Sequence, residues 1–178
     1  MINKKYLYYF ILTLLLSCKN DTVNKNGTSI KKTDLLEKQI DIIKNKKILS
    51  LAKVLGDSTI LKNHVLFLYN GYDCGSCIDI GYEMSKKMDS LIGNQLVYII
   101  STSANIGQDQ LKNNYQKFVY NDENDLIRKD LKFIKTPVFL YLDSKNKIKN
   151  AFYPNYNRDV NKENLFIKAC IEDQIVPF

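Results

Sequence analysis

The fold is decided by residues 64–77, which read His64-Val65-Leu66-Phe67-Leu68-Tyr69-Asn70-Gly71-Tyr72-Asp73-Cys74-Gly75-Ser76-Cys77. The first six form a continuous apolar run, which predicts a central strand covered on both faces. Apolar residues then recur at helical spacing from Ile78 to Leu91. Two thiols therefore lie where a buried strand passes into a helix. A sulfur near amide donors and a second sulfur one turn later can exchange a disulfide with a partner.

The rest of the chain predicts alternating strands and helices. Upstream, apolar spacing over 35–55 indicates one long or two short helices. Downstream, we expect a parallel strand at 96–100, a helix within 107–118, an extended piece at 119–120 and a short helix at 125–131. An antiparallel hairpin over 138–153 and a helix at 161–173 complete the order. The pattern predicts an α/β fold with a central mixed sheet flanked by helices and an N-terminal helical extension.

The N-terminus has the pattern of an export signal. Lys4 and Lys5 precede an apolar run over 6–16, which is shorter than the roughly 20 residues of a membrane span. Ser17-Cys18 follows and resembles the lipobox of bacterial lipoproteins, which implies cleavage before Cys18 and acylation of its thiol. An uncleaved N-terminal anchor is the alternative. We therefore expect a signal peptide at 1–17, a flexible tether at 18–32 and one domain at 33–178, held at a membrane of the cell envelope outside the cytoplasm.

Charge argues against a nucleic-acid partner. The chain has 26 Lys and Arg against 19 Asp and Glu, a net charge of +7. The basic residues are scattered among acidic and amide residues, with no basic and aromatic recognition motif. We interpret them as a solvated surface.

Two motifs stand out in this order of elements: Cys74-Gly75-Ser76-Cys77 follows a buried strand, and Thr136-Pro137 precedes a later one. The order resembles the thioredoxin fold. It is similar to the TlpA-like and ResA-like thiol-disulfide oxidoreductases of the bacterial envelope. The resemblance implies a membrane-tethered enzyme, with no cofactor, that exchanges its dithiol with protein thiols and disulfides and with an upstream electron donor. It also implies that Pro137 is cis and packs against the disulfide, and that the backbone of Thr136 pairs with the substrate.

Within this pattern, Cys74 is the candidate nucleophile and Cys77 the resolving thiol. The first position leaves a sulfur exposed beside the first-turn N–H groups, which favour a thiolate. The adjacent Asp73 is expected to oppose that thiolate, which favours a reductant or a mild exchanger over a strong oxidant.

The chain departs from the family pattern at three places. Asp73 replaces the aromatic residue that precedes the first cysteine, Tyr82 occupies the position of the helix proline, and the apolar run 65–68 has no buried acid. These departures keep a second class of function open, a non-catalytic lipoprotein that uses the fold to bind another protein.

Metal and peroxidase sites are poorly supported. Zinc needs about four ligands, and the chain offers one histidine, His64, and no second cysteine pair. The Pro-x-x-x-Thr-x-x-Cys setting of a peroxidatic cysteine is missing before Cys74. Cys170 lies on the apolar side of the last helix and is predicted to be a buried core thiol.

Overall fold

The computed structural model describes residues 35–56, 62–92 and 96–175. The predicted signal peptide at 1–17, the tether at 18–32 and the lipidation site Cys18 lie outside the described residues. Among the helices that are described, none combines the length and the apolar character needed to cross a membrane.

Two short helices, not one long helix, precede the first strand in the described part of the chain. Helix α1 covers 35–43 and helix α2 covers Leu51–Leu55. The chain leaves α1 at Asn45, whose φ of 66° is incompatible with a continuing right-handed helix. Asn45 N then donates to Ile148 O at 2.8 Å, and Ile148 N donates to Lys46 O at 2.9 Å. The break lets the connecting segment pair with the last hairpin.

The described strands form one five-stranded sheet in the order β3-β2-β1-β4-β5. Strand β1 is central, as predicted, and is paired in parallel with β2 and antiparallel with β4. Strands β2 and β3 are parallel, and β4 and β5 form the predicted antiparallel hairpin. The bounds are His64–Tyr69 for β1, Val97–Ser101 for β2, Val119–Asn121 for β3, Val138–Leu142 for β4 and Ile148–Phe152 for β5.

Four further helices lie between and after the strands in the described residues. They are α3 over Gly75–Ile92, α4 over Ile106–Lys112, α5 over Leu126–Asp130 and α6 over Val160–Ile175. Helix α4 ends well before the predicted residue 118, because the chain turns at Asn114 with a φ of 47°. The mixed sheet flanked by helices confirms the predicted fold class.

The central strand divides the core into two layers. Val65, Phe67 and Tyr69 of β1 pack in the layer that contains buried residues of α3 and α6. Leu66 and Leu68 face the other layer, with buried residues of α1, α2 and α5. This two-sided burial explains the continuous apolar run. Its effect on the site is that β1 lies between two packed layers, and α3, which belongs to one of them, starts just beyond the end of that strand.

Candidate redox site

The two cysteines lie at the start of α3, directly after β1. Ile78 N donates to Cys74 O at 3.0 Å, so the helical hydrogen bonds begin at Cys74. Cys74 is exposed, whereas Cys77 is only 6% exposed, and both are free thiols. Cys77 N donates to Cys74 Sγ at 3.4 Å. The Cys74 sulfur therefore occupies the position of a helix N-cap acceptor, where amide donors and the helix dipole favour negative charge.

The surroundings of Cys74 favour its thiolate. Its pKa is lowered from the ordinary value, first by the hydrogen bond with the Cys77 side chain and then by the hydroxyl of Ser76. Ser76 Oγ lies 3.2 Å from Cys74 Sγ. The shift is downward in spite of the neighbouring Asp73 carboxylate. The sequence assigns Ser76 no role, because a serine between two cysteines carries no charge that would mark it.

Cys77 has the opposite character. Burial is the main cause that raises its pKa to about 11, and the hydrogen bond and charge of Cys74 add to the effect. The Tyr156 backbone acts in the other direction by hydrogen bonding, and the charge of Asp73 raises the pKa further. Of the two thiols, Cys74 thus ionises first. Tyr156 contributes to the site through its main chain, for which the sequence carries no signal.

Asp73 joins the cysteine loop to the segment before β4. Its Oδ2 accepts a hydrogen bond from Asn70 N at 2.8 Å, and its Oδ1 accepts from Asn70 Nδ2 and from Thr136 Oγ1, each at 3.0 Å. Asn70 Nδ2 also donates to Thr136 Oγ1 at 2.6 Å. An Asn and an Asp three residues apart are typical of a turn in which the side chains hydrogen-bond to nearby backbone. The link to Thr136 has no such local signal.

The Thr136-Pro137 peptide bond is cis, which confirms the geometry that the resemblance implies. Pro137 is buried and Thr136 is half-buried. The hydrogen bonds of Thr136 with Asn70 and Asp73 bring this segment to the loop that carries Cys74. The assignment of Thr136 and Pro137 to substrate binding, and of Cys74 and Cys77 to catalysis, stays a prediction.

Helix α3 is packed tightly at Gly81 and Tyr82, where the sequence departs from the pattern that it resembles. Gly81 lies against the ring of Phe67, so close that an added Cβ would be 1.9 Å from Phe67 Cζ. Tyr82 is fully buried, and its hydroxyl lies 2.9 Å from that of Tyr69. Gly81 leaves room for the ring of Phe67, and Tyr82 hydrogen-bonds to Tyr69 of β1. These two contacts hold α3 to the sheet.

The described cysteines and His64 do not come together as a metal site. Within the described residues, no group of three or more His, Cys, Asp or Glu side chains is placed to hold a metal ion. His64 Nδ1 bonds to Lys62 O at 3.0 Å at the start of β1. Cys170 is fully buried on α6, which confirms the predicted core thiol, and burial raises its pKa to about 12.

Comparison with known proteins finds similarity among solved structures alone. No protein-family model and no curated protein sequence matches the chain. A protein from Chlorobium tepidum, described as a thiol:disulfide interchange protein DsbE, is similar with a TM-score of 0.51 and 14% identity, over 66% of this chain and 84% of that one.

Two further solved structures show a weaker likeness. A secreted Mycobacterium tuberculosis disulfide oxidoreductase homologous to E. coli DsbE has a TM-score of 0.47 and 15% identity, over 64% of this chain and 86% of that one. Peroxiredoxin Q of Xanthomonas campestris has a TM-score of 0.47 and 10% identity, over 65% of this chain and 81% of that one. Together with the sheet order and the flanking helices, the Chlorobium tepidum likeness shows that this chain has a thioredoxin-like fold.

Proposed function

We propose that the protein is a thiol-disulfide oxidoreductase of the bacterial cell envelope, held to a membrane by lipid on Cys18, with its domain outside the cytoplasm. The observation that carries the redox assignment is the contrast between the two thiols. Cys74 is exposed and has a lowered pKa, whereas Cys77 is buried and has a raised one. A nucleophile must be ionised and accessible, and a resolving thiol must be close and protected.

The exchange uses these two thiols in sequence. The Cys74 thiolate attacks one sulfur of a partner disulfide, forming a mixed disulfide and releasing the other partner sulfur as a thiolate. Cys77 then gives its proton to solvent and attacks Cys74 Sγ, which forms the Cys74–Cys77 disulfide, breaks the mixed disulfide and releases the second partner thiolate. The partner gains two electrons and the enzyme loses two. A donor dithiol restores the enzyme by the reverse exchange and is itself oxidised to a disulfide.

The segment Thr136-Pro137 is the proposed docking site for the partner. Hydrogen bonds of Thr136 Oγ1 with Asn70 and Asp73 hold this segment against the cysteine loop. An extended partner segment that pairs with the backbone of Thr136 would present its disulfide beside the exposed Cys74 sulfur. The partner class is therefore a protein disulfide in an extended, accessible segment.

Turnover of a protein disulfide tests the proposal. With dithiothreitol as donor, the wild-type protein is expected to reduce insulin, and Cys74→Ser is expected to abolish this activity. Cys77→Ser should accumulate a mixed disulfide with the partner, because the resolving step is lost. Cys170→Ser is the matched control and should retain activity, since that thiol is buried in the core. A wild-type protein without turnover would reject the enzyme and favour the protein-binding alternative.

Lipid attachment is tested independently of the redox activity. The full-length chain expressed in a bacterium should incorporate labelled palmitate and sediment with membranes, and Cys18→Ala should lose the label. Equal labelling of the two proteins would contradict acylation at Cys18.

A further inference from the structure

We propose that Asp73 is a positioning residue of this site: its carboxylate holds the Thr136 segment against the cysteine loop and so sets where a docked protein disulfide meets Cys74. This inference rests on the proposed function and adds a residue to it. In the proteins that the sequence resembles, the residue before the first cysteine is aromatic, whereas this chain has the carboxylate of Asp73 at that position.

The geometry of the carboxylate supports this role. Each oxygen is engaged, one by Asn70 N and the other by Asn70 Nδ2 and Thr136 Oγ1. Asn70 Oδ1 in turn accepts from Tyr72 N at 2.7 Å. The network closes a ring between the end of β1, the residue before Cys74 and the residue before Pro137. Docking site and nucleophile are thereby held in one arrangement.

The chemistry of the network calls for an ionised carboxylate. Three donors converge on Asp73, and a carboxylate accepts at both oxygens without donating. An amide at this position would direct an NH₂ group toward one of those donors. Burial is the largest effect and leaves the pKa of Asp73 above its ordinary value, and the hydrogen bonds from Asn70 and Thr136 and the positive charge of Arg128 offset part of that rise. These contacts stabilise the form that the network needs.

The charge of Asp73 also reaches Cys77, whose pKa it raises. Loss of the carboxylate should therefore have two separable effects. The docking segment should become less well positioned for a protein substrate, and Cys77 should ionise at lower pH. A residue that only stabilised the fold would produce neither the substrate dependence nor the change in Cys77.

The test compares Asp73→Asn with Asp143→Asn in the full chain. Asp143 is the matched control because its Oδ1 accepts amide hydrogen bonds from Lys145 and Lys147 in the β4–β5 turn. We measure kcat/KM for a protein disulfide, insulin, and for a small one, hydroxyethyl disulfide. Asp73→Asn should lower the insulin value about tenfold more than the small-disulfide value, as for a lost contact of about 1.4 kcal/mol. Asp143→Asn should leave the ratio of the two unchanged.

Two further measurements complete the test. In the Cys74→Ser background, the pH profile of Cys77 alkylation should move to lower pH with Asp73→Asn and stay in place with Asp143→Asn. Thr136→Val removes one donor of the same network, so combining it with Asp73→Asn should lower insulin kcat/KM little beyond the single changes. If Asp73→Asn does not fold, Thr136→Val, which keeps the carboxylate, carries the substrate comparison.

The outcomes separate this inference from the proposed function. An active wild type in which Asp73→Asn lowers kcat/KM equally for insulin and for hydroxyethyl disulfide would overturn the positioning role alone. A wild type inert toward both disulfides would overturn the positioning role together with the enzyme.

Discussion

Replacement of Gly81 by alanine should loosen the helix that carries the cysteines. An ideal Cβ on Gly81 would lie 1.9 Å from Phe67 Cζ and 2.4 Å from Cε2, well inside van der Waals contact. The ring has little room to move. It is fully buried, stacks on Phe139 with centroids 4.6 Å apart and meets Tyr69 at 5.6 Å. Either the ring or α3 must shift.

The expected loss follows from two opposing effects. Overpacking of a filled core costs up to about 3 kcal/mol. Alanine in place of glycine within a helix stabilises by up to about 1 kcal/mol. We therefore expect Gly81→Ala to lower the free energy of unfolding by about 2 kcal/mol. Urea unfolding followed by circular dichroism at 222 nm, with the cysteines kept reduced, measures this difference.

Gly75 provides the matched control in the same helix. A Cβ at Gly75 would meet no atom of the described residues within 4 Å, so Gly75→Ala should leave stability unchanged or raise it by up to about 1 kcal/mol. Phe67→Leu replaces the ring by a smaller side chain and should relieve part of the stability loss caused by Gly81→Ala. The effects of the two changes on the free energy of unfolding should therefore be less than additive. Equal stability of Gly81→Ala and Gly75→Ala would refute the packing argument.

Two further predictions concern ionisable groups. Ser76→Ala removes the hydroxyl beside Cys74 Sγ and should raise the pKa of that thiol, so iodoacetamide alkylation should need higher pH, and an unchanged profile would exclude the hydrogen bond. Burial lowers the pKa of His64 below its ordinary value of 6.5, and its Nε2 has no hydrogen-bond partner among the described residues. The unfolded chain then binds a proton that the folded one does not, so stability should fall as pH drops below 6.5. Urea midpoints at pH 7.5 and 5.0 should differ less in His64→Phe, and an equal difference would rule this group out as the cause.

Local pattern was enough to predict the elements of this protein. The continuous apolar run of β1 and the helical spacing after Cys77 depend on residues close in the chain, and both predictions are confirmed. The burial of Cys170 followed in the same way from helical spacing around it. Short-range periodicity reports which face of an element is buried, and burial is the dominant energy of folding.

The connections were less predictable than the elements. The local pattern did not decide between one helix and two over 35–55. The chain breaks at Asn45, where it pairs with Ile148, about a hundred residues away. Helix α4 ends just before a left-handed turn at Asn114. The local sequence does not predict this turn, because a residue other than glycine seldom adopts a positive φ. Boundaries of this kind depend on tertiary contacts that a local pattern cannot report.

By itself, the sequence determined that a dithiol lies between a buried strand and a helix, with Thr136-Pro137 ahead of a later strand. Only the tertiary structure decided how those parts act on one another. It placed the Ser76 hydroxyl at Cys74, the Tyr156 backbone at Cys77 and the Asp73 carboxylate against Thr136, 63 residues away in the chain. The physical reason is that a thiol's pKa depends on burial and on nearby donors and charges, and folding brings these together from distant segments.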